Sequence, residues 1–541
     1  MAKTRIFQNG KIYTVNKKQP WAEAVVVEGN KIVYVGDNEG SKKYINNECE
    51  VEDLHGKLMT PGFIDGHLHA LMATLALCVI RLDPTMDVAT IQKTVTEYIN
   101  AHPNLPAYLG MGWSDSMFGE VGPNKKDLDI VSKDKPICLL SASGHCGWSN
   151  SKALEAAKIT KNTKDPDKNA GHLYMRDSEG NPTGYIKETI CLNYILAAAD
   201  YTPLELIAEE AVKLGKVCAS LGLTSLVDCG NYDFFEFIMN DDLMKEIEHV
   251  DCPIRLDVCG VIGNKSNIQM ASEEAERLHK RYMGDMFRCT FLKIINDGTL
   301  ENFSAAMPKA YPGAPVVQPT FSVDELVYWG EKAAKAGLDL NVHAIGSVTV
   351  HGVLEAAGKL REKGYDKMRI ICSHSAYVFK EDLQLFNKYN VVANSTALWF
   401  SAIPEESEDL VSSITEALSY PMKSIKNYGA RLSLSSDFPT DSTAFLPLPN
   451  VEVAITRQKL GEKDGYIFDK EERLSLEEVI EAYTINNAYI MRMEDKIGSI
   501  EVGKYADMVV FDKNLFEIEP HTIHDVKVYE TIMNGVTRYK L

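Results

Sequence analysis

The middle of the chain alternates between two kinds of segment. Short apolar runs rich in β-formers occur at 62–68, 224–228, 254–259, 291–296, 338–342, 370–372, 391–395 and 432–435. Helical patterns such as 204–221 and 323–336 separate most of them. Parallel strands need crossover helices between them, so this alternation predicts an α/β fold, a (β/α)8 TIM-like barrel. The interval from about 71 to 204 is far too long for one helix. Its Gly, Pro and Asn clusters predict an inserted substructure after strand one, at about 75–200, above the barrel mouth.

The two ends read differently. Val25-Val26-Val27 and Ile32-Val33-Tyr34-Val35 flank Glu28-Gly29-Asn30-Lys31, a hairpin signal. Near the other end, Asp507-Met508-Val509-Val510-Phe511 is a short apolar strand, and Asn534-Gly535 separates two further β-type runs. These ends are expected to meet. Residues 1–60 and 495–541 would then form a composite β-sandwich domain beside a barrel at 61–494.

Composition narrows the function. With 57 basic against 76 acidic residues, the net charge is −19. That surface repels nucleic-acid phosphates and anionic lipid. No apolar run reaches the ~18 residues of a membrane span. The N-terminus, Met1-Ala2-Lys3-Thr4, opens a polar segment without a signal-peptide core. Eleven cysteines lie between Cys49 and Cys372 with no CxxC pair, the usage of reduced core thiols. The expectation is a cytoplasmic protein with a small-molecule substrate, no nucleic acid and no membrane partner, and a homodimer as an option.

Chemistry-bearing residues recur at the ends of the apolar runs. The first ends in Gly66-His67-Leu68-His69, where strand alternation puts both imidazoles on one face. His343 closes the fifth run, His374 the sixth and Asp437 the eighth. C-terminal strand ends of a barrel converge on one site. Imidazoles with one carboxylate suit Zn²⁺, Fe²⁺ or Mn²⁺ rather than Ca²⁺ or Mg²⁺, which prefer oxygen shells. Lys293 lies inside the fourth run. A buried ammonium needs a partner. Either it pairs with Asp297 or another carboxylate, or it is carbamylated by CO₂ and becomes an anionic metal bridge.

The resemblance is to the amidohydrolase superfamily, in its amidohydrolase-3 group of YtcJ-like proteins, similar to N-substituted formamide deformylase. It rests on Thr60-Pro61-Gly62-Phe63-Ile64-Asp65-Gly66-His67-Leu68-His69, on Lys293 with Asp297-Gly298, on His343-Ala344-Ile345-Gly346, and on Ser435-Ser436-Asp437-Phe438-Pro439. Gly498-Ser499-Ile500-Glu501-Val502-Gly503-Lys504-Tyr505-Ala506-Asp507 resembles the family's return into its β-sandwich. Gly112-Trp113, His145 with Trp148-Ser149-Asn150-Ser151-Lys152-Ala153-Leu154, and Gly180-Asn181-Pro182-Thr183-Gly184 point to the YtcJ-like group. Two positions depart. Ser347 stands where the group usually has Asp, and Ser373-His374-Ser375-Ala376 where it usually has Glu-His-Ala-Gln. The second departure is expected to remove polar partners of the imidazoles.

The resemblance implies a metal-dependent hydrolase of carbon–nitrogen (non-peptide) bonds, on amide or N-acyl substrates. A metal lowers the pKa of water towards ~7 and polarises a carbonyl. Asp437 is the candidate general base. The cofactor is a divalent transition metal, zinc foremost, as one or two ions. With Lys293 carbamylated, His67, His69 and Asp437 would hold one ion, His343 and His374 another, and Lys293 would bridge them. Otherwise one ion with the histidines and Asp437 is simpler. Glu188 is a third source of a bridging carboxylate, against its reading as an exposed helix-start charge. Trp113, Asp115, Phe118, His145, Trp148 and the Trp399-Phe400 pair either line an apolar substrate pocket or form local core. A deaminase or cyclic-amide hydrolase, and a non-catalytic regulatory barrel, remain as alternatives.

Overall fold

The computed structural model describes residues 4–165, 173–187, 189–231, 238–401, 405–440 and 443–541. Eight parallel strands follow one another through the chain: β1 (Phe63–Leu68), β2 (Leu223–Asp228), β3 (Arg255–Val258), β4 (Phe291–Ile295), β5 (Asp339–Ala344), β6 (Ile370–His374), β7 (Val391–Thr396) and β8 (Leu432–Ser435). β1, β2 and β3 pair in chain order, and so do β4 to β8. A parallel bridge from Gly263 to Ile294 links the loop after β3 to β4, and β8 packs against β1. Every residue of β1, β2, β3, β6, β7 and β8 is buried. That explains why these strands read as continuous apolar runs rather than as an alternation.

The connecting helices start and stop on local signals. The helix Val323–Lys335 is capped by Ser322, whose Oγ accepts from Glu325 N at 3.4 Å while Glu325 accepts from Ser322 N at 2.9 Å. Its buried stripe is Leu326, Val327, Trp329, Gly330 and Ala333. It ends before Gly337, which at φ +85° takes the left-handed conformation that closes a helix.

Both ends of the chain build two further sheets. One runs Lys31–Gly36, Ala24–Glu28, Thr4–Gln8, Glu50–Asp53. The other runs Val536–Lys540, Val528–Met533, Met508–Phe511, Leu58–Pro61, Lys11–Tyr13, Trp21–Ala22. The termini meet where Met508 pairs with Pro61 and Phe511 with Leu58. Phe7, Val25, Met59, Met508, Val510 and Ile532 from the two sheets share one buried core. Asn534 and Gly535, both at positive φ, make the turn between the last two strands.

The chain divides into two compact units. One comprises Met1–Ala70, Val212–Gly230 and Asp251–Leu541, and holds all the sheets described so far. The other comprises Leu71–Ala211 and Asn231–Val250. The second unit therefore includes a stretch after β2 that the sequence did not suggest. Its sheet has the order Tyr174–Arg176, Pro182–Lys187, Cys146–Ser149, Ile137–Ser141, Tyr108–Trp113, Ile80–Arg81. None of the eleven cysteines forms a disulfide. Among the described residues no helix is long and apolar enough to cross a membrane.

The contact of β1 with β8 is held from below by Asn487, on the helix Ile485–Ile490. Its Nδ2 donates to Ile64 O at 2.6 Å and to Leu434 O at 2.9 Å. A Cβ at Gly66 would run into Ser433 Oγ and Asn487 Oδ1, so the close approach needs glycine. Asn487→Leu keeps the volume but leaves two buried carbonyls without their donor. Unfolding free energy should fall by about 1–3 kcal/mol for each carbonyl left unsatisfied. A urea titration that finds the midpoint unchanged would show that this seam does not depend on Asn487.

Candidate metal centre

His67 lies on β1 and His69 one residue past its end, two apart, so their rings leave the strand on the same side. Asp437 lies two residues past β8. The backbone locks the segments together: Asp437 N donates to His67 O at 2.8 Å, and His69 N to Phe438 O at 2.7 Å. Asp65 adds a clip, accepting at Oδ1 from His67 N and Ser436 N, both at 3.1 Å. In consequence Asp437 Oδ1 sits 3.4 Å from His67 Nε2 and 3.3 Å from His69 Nε2. All three residues are buried, and one donor atom from each lies within 4.8 Å of the others.

His374 and His343 continue the cluster. The His374 ring is 4.9 Å from that of His67 and 4.4 Å from that of His343, centroid to centroid. Lys293 is buried on β4, its Nζ 3.5 Å from His67 Nε2 and 3.2 Å from Asn341 Oδ1. Among the described residues no carboxylate pairs with it. This corrects the expected salt bridge to Asp297, which is spent elsewhere. Asp297 accepts from Ile345 N at 3.1 Å, Gly346 N at 2.8 Å and Ala306 N at 3.2 Å, and lies 3.1 Å from His343 Nδ1. Glu188 lies outside the described residues.

The far nitrogen of each of three imidazoles is also engaged. His69 Nδ1 faces Gly230 O at 2.7 Å, His343 Nδ1 faces Asp297, and His67 Nδ1 faces Ser373 Oγ at 3.1 Å. Ser373 was expected to deprive the imidazoles of a partner. It is itself the partner, because its hydroxyl reaches the His67 ring.

Charge follows from burial. Burial first, then the Lys293 charge, hold the His67 imidazolium well below its ordinary pKa. Burial first, then His343, do the same to His374. Burial also lowers Lys293. Burial pushes Asp437 upward, but the neighbouring imidazoles His69, His67 and His374 more than offset it, and the carboxyl stays ionised well below the usual range. At Asp65 burial outweighs the hydrogen bonds from Ser436 and His67 N, and raises the carboxyl to about 7. The centre thus sets the neutral imidazoles of His67 and His374 beside the ionised carboxylate of Asp437.

These residues fit a transition-metal ion. Asp437 Oδ1 is buried yet has no hydrogen-bond partner. A buried anionic oxygen in that state is costly unless a cation takes it. Neutral imidazole and carboxylate are the ligands that Zn²⁺ and its neighbours accept.

Of the aromatic candidates, Trp399 is placed at the centre. Its ring stacks on His374 at 6.0 Å and 23°. Trp113 and Trp148 instead belong to the core of the second unit, packed 6.2 Å apart with Phe118 against Trp148. Both are fully buried, and their indole N–H groups donate to Leu139 O and Asn124 O. With N–H and ring faces used internally, they are not a pocket wall. His145 and Asp115 are exposed in the same unit. Sequence reasoning passed over the roles of Asp65, Asn341 and Gly230, although the first two stand inside segments already singled out.

Comparisons with known proteins identify the family. The amidohydrolase family profile matches residues 50–539. The chain belongs to the amidohydrolase family. Among similar proteins, the exoenzymes regulatory protein AepA of Pectobacterium carotovorum subsp. carotovorum is 31% identical over 73% of this chain and 85% of that protein. YtcJ of Bacillus subtilis (strain 168) is 26% identical over 99% of both. N-substituted formamide deformylase of Arthrobacter pascens is 25% identical over 98% of this chain and 97% of its own. In fold the chain is similar to an uncharacterized metal-dependent hydrolase from Pyrococcus furiosus, with TM-score 0.72 and 21% identity over 94% of this chain and 99% of that one.

The donor set makes a direct prediction. Protein purified without chelator should carry at least one equivalent of a transition metal by elemental analysis, and His67→Ala should lose most of it. Wild-type protein free of Zn, Fe, Mn, Co and Ni, and not activated by any of them, would refute this.

Proposed function

We propose that this amidohydrolase is a metal-dependent hydrolase of carbon–nitrogen bonds other than peptide bonds, acting on amide or N-acyl substrates. Its eight parallel strands are read as a closed (β/α)8 barrel at 61–494, and its two terminal sheets as a composite β-sandwich of 1–60 and 495–541. On such a barrel the C-terminal strand ends form the active site. The observation that carries the reading is the buried Asp437 oxygen, without a hydrogen bond and facing His67 Nε2 and His69 Nε2 at 3.4 and 3.3 Å.

His67, His69 and Asp437 would hold a divalent transition metal, with zinc foremost, and His343 and His374 would complete its shell or hold a second ion. When bound, the metal supplies water acidified towards ~7 and a polarised carbonyl. The protein's own residues do the rest. Asp437, ionised and buried, takes the proton of the attacking water and returns it to the leaving nitrogen. The neutral imidazoles of His67 and His374 keep positive charge low around that carboxylate. Trp399, stacked on His374, offers an apolar face to an acyl or aryl group. The relative named N-substituted formamide deformylase supports the amide class. Eleven cysteines without a disulfide accord with a reducing, cytoplasmic compartment.

A deaminase or cyclic-amide hydrolase would use the same residues on a different carbon. A non-catalytic barrel is favoured only by the regulatory name of the AepA relative, and the retained donors speak against it. The test starts with a panel of N-acyl amines, N-acyl amino acids and cyclic amides. On the best of these, Asp437→Asn should lower turnover by roughly 10²-fold or more, the usual share of general acid–base catalysis. Equal turnover by this variant would remove Asp437 from the mechanism. Wild-type protein that holds metal yet hydrolyses nothing would favour the regulatory reading.

Lys293 is assigned as a carbamate. Burial lowers its pKa, which favours the neutral amine that can attack CO₂. The nitrogen gains a carboxylate and gives up a proton. The resulting anion would stand beside His67 Nε2, where among the described residues no carboxylate other than Asp437 is placed. Protein prepared under CO₂ depletion should therefore hold less metal than protein prepared with bicarbonate. A crystal structure with metal present and a bare Lys293 ammonium would exclude the carbamate.

A further inference from the structure

The three engaged imidazoles do not have equivalent partners. His69 Nδ1 faces a backbone carbonyl, and His343 Nδ1 faces the Asp297 carboxylate, which is fixed by three backbone N–H groups. Both partners can only accept, so both rings donate from Nδ1, and it is the neutral form of each that turns an Nε2 lone pair outward. His67 Nδ1 faces the Ser373 hydroxyl, which can donate or accept. By itself, Ser373 leaves the His67 tautomer undecided.

Asn341 decides it. Ser373 Oγ donates its single proton to Asn341 Oδ1 at 2.6 Å. That oxygen also accepts from Lys293 Nζ at 3.2 Å, while Asn341 Nδ2 is directed at Cys229 Sγ at 3.7 Å. The amide is thereby oriented, with its oxygen towards two donors. With its proton committed, Ser373 can only accept from His67, so the His67 proton must sit on Nδ1. All four side chains are buried: His67, Lys293, Asn341 and Ser373.

We infer that Asn341, through Ser373, is the positioning residue that sets the His67 tautomer and so presents its Nε2 lone pair to the metal. The inference rests on the reading of His67 as a metal donor. It also assigns the serine on β6 a role that a carboxylate would fill directly: a hydroxyl can do the work of an acceptor only when a second residue takes its proton. Asn341 does not touch the reacting atoms in this account. It acts on β1 from β5, across β6.

Three variants separate this role from simple support of the fold. Asn341→Leu has similar volume but offers no acceptor, Asn341→Asp keeps the acceptor, and Ser373→Ala removes the hydroxyl. Zinc affinity, measured by chelator competition, should fall on the order of 10-fold or more in Asn341→Leu and in Ser373→Ala, the usual effect of removing a partner of a ligating histidine. Asn341→Asp should stay near wild type. Asn341→Leu combined with Ser373→Ala should lose little more than the worse single variant, since both cut one chain. The second readout is independent of metal. In the metal-free protein, the ¹⁵N shifts of His67 should show the Nδ1–H tautomer in wild type and Asn341→Asp, and a mixture in Ser373→Ala. A wild-type His67 protonated on Nε2, or Asn341→Leu binding zinc within twofold of wild type, would overturn the inference. If Asn341→Leu does not fold, the wild-type tautomer with Ser373→Ala and Asn341→Asp decides. Wild-type protein that binds no zinc would sink the proposed function, while the tautomer would still decide the role of Asn341.

Discussion

Everything at the centre depends on how the first and last parallel strands are joined. Among the described residues no regular ladder runs between β1 and β8. Single groups join them instead. Asn487 donates to a carbonyl of each strand, Asp65 gathers one N–H from each side, and two backbone bonds cross between the segments just beyond. Those last bonds start or end on His67, His69, Asp437 and Phe438. The contacts that close the strand set are therefore the ones that bring two histidines and a carboxylate from opposite ends of the sequence to within 3.5 Å. Asp65 shows what this demands. Its carboxyl is buried enough to be raised to about 7, and it is retained for the two N–H groups it collects.

Much of this was legible in the sequence, because periodicity reports burial directly. A strand covered on both faces must be apolar throughout, and each of the eight runs overlaps a parallel strand. The two-residue spacing of His67 and His69 also carried its geometry. What failed to show were choices among partners. Asp297 stands four residues after Lys293, which would suit a helix. Along a strand that separation is about 13 Å, too far for an ion pair, and Asp297 belongs to the turn beyond β4. Trp113 and Trp148 were ambiguous for another reason. A large aromatic has the same signature whether it lines a pocket or fills a small core, and only the partners of its N–H tell the two apart. Ser373 was misread because a hydroxyl has no fixed role until its own acceptor is known.

The turns after β6 and β8 add backbone strain to this picture. His374, Ser375 and Asp437 all have positive φ, at 73°, 42° and 56°. Residues with a Cβ are uncommon there, and such conformations cost of order 1–3 kcal/mol each. They persist where the surroundings over-determine them. Ser375 Oγ donates to Cys372 O, and Asp437 is pinned through its N–H to His67. The left-handed turn breaks the alternation that a continuing strand would impose, so that Asp437 faces the β1 histidines and His374 faces both His67 and His343.

Charge then couples the state of Lys293 to the number of ions. Around Asp437, the neutral imidazoles of His67 and His374 leave the carboxylate as the charge that faces an ion. One dication beside it would leave a single net positive charge. Two dications would leave three. In a buried site, repulsion between like charges is screened weakly, and each uncompensated charge lowers affinity for the next. A carbamate on Lys293 changes the sum in two ways at once, by removing a potential cation and adding an anion next to His67. On the proposed reading, the one-ion and two-ion arrangements would thus not be independent of the lysine: a second ion would call for the carbamate, whereas a first would need only the histidines and Asp437.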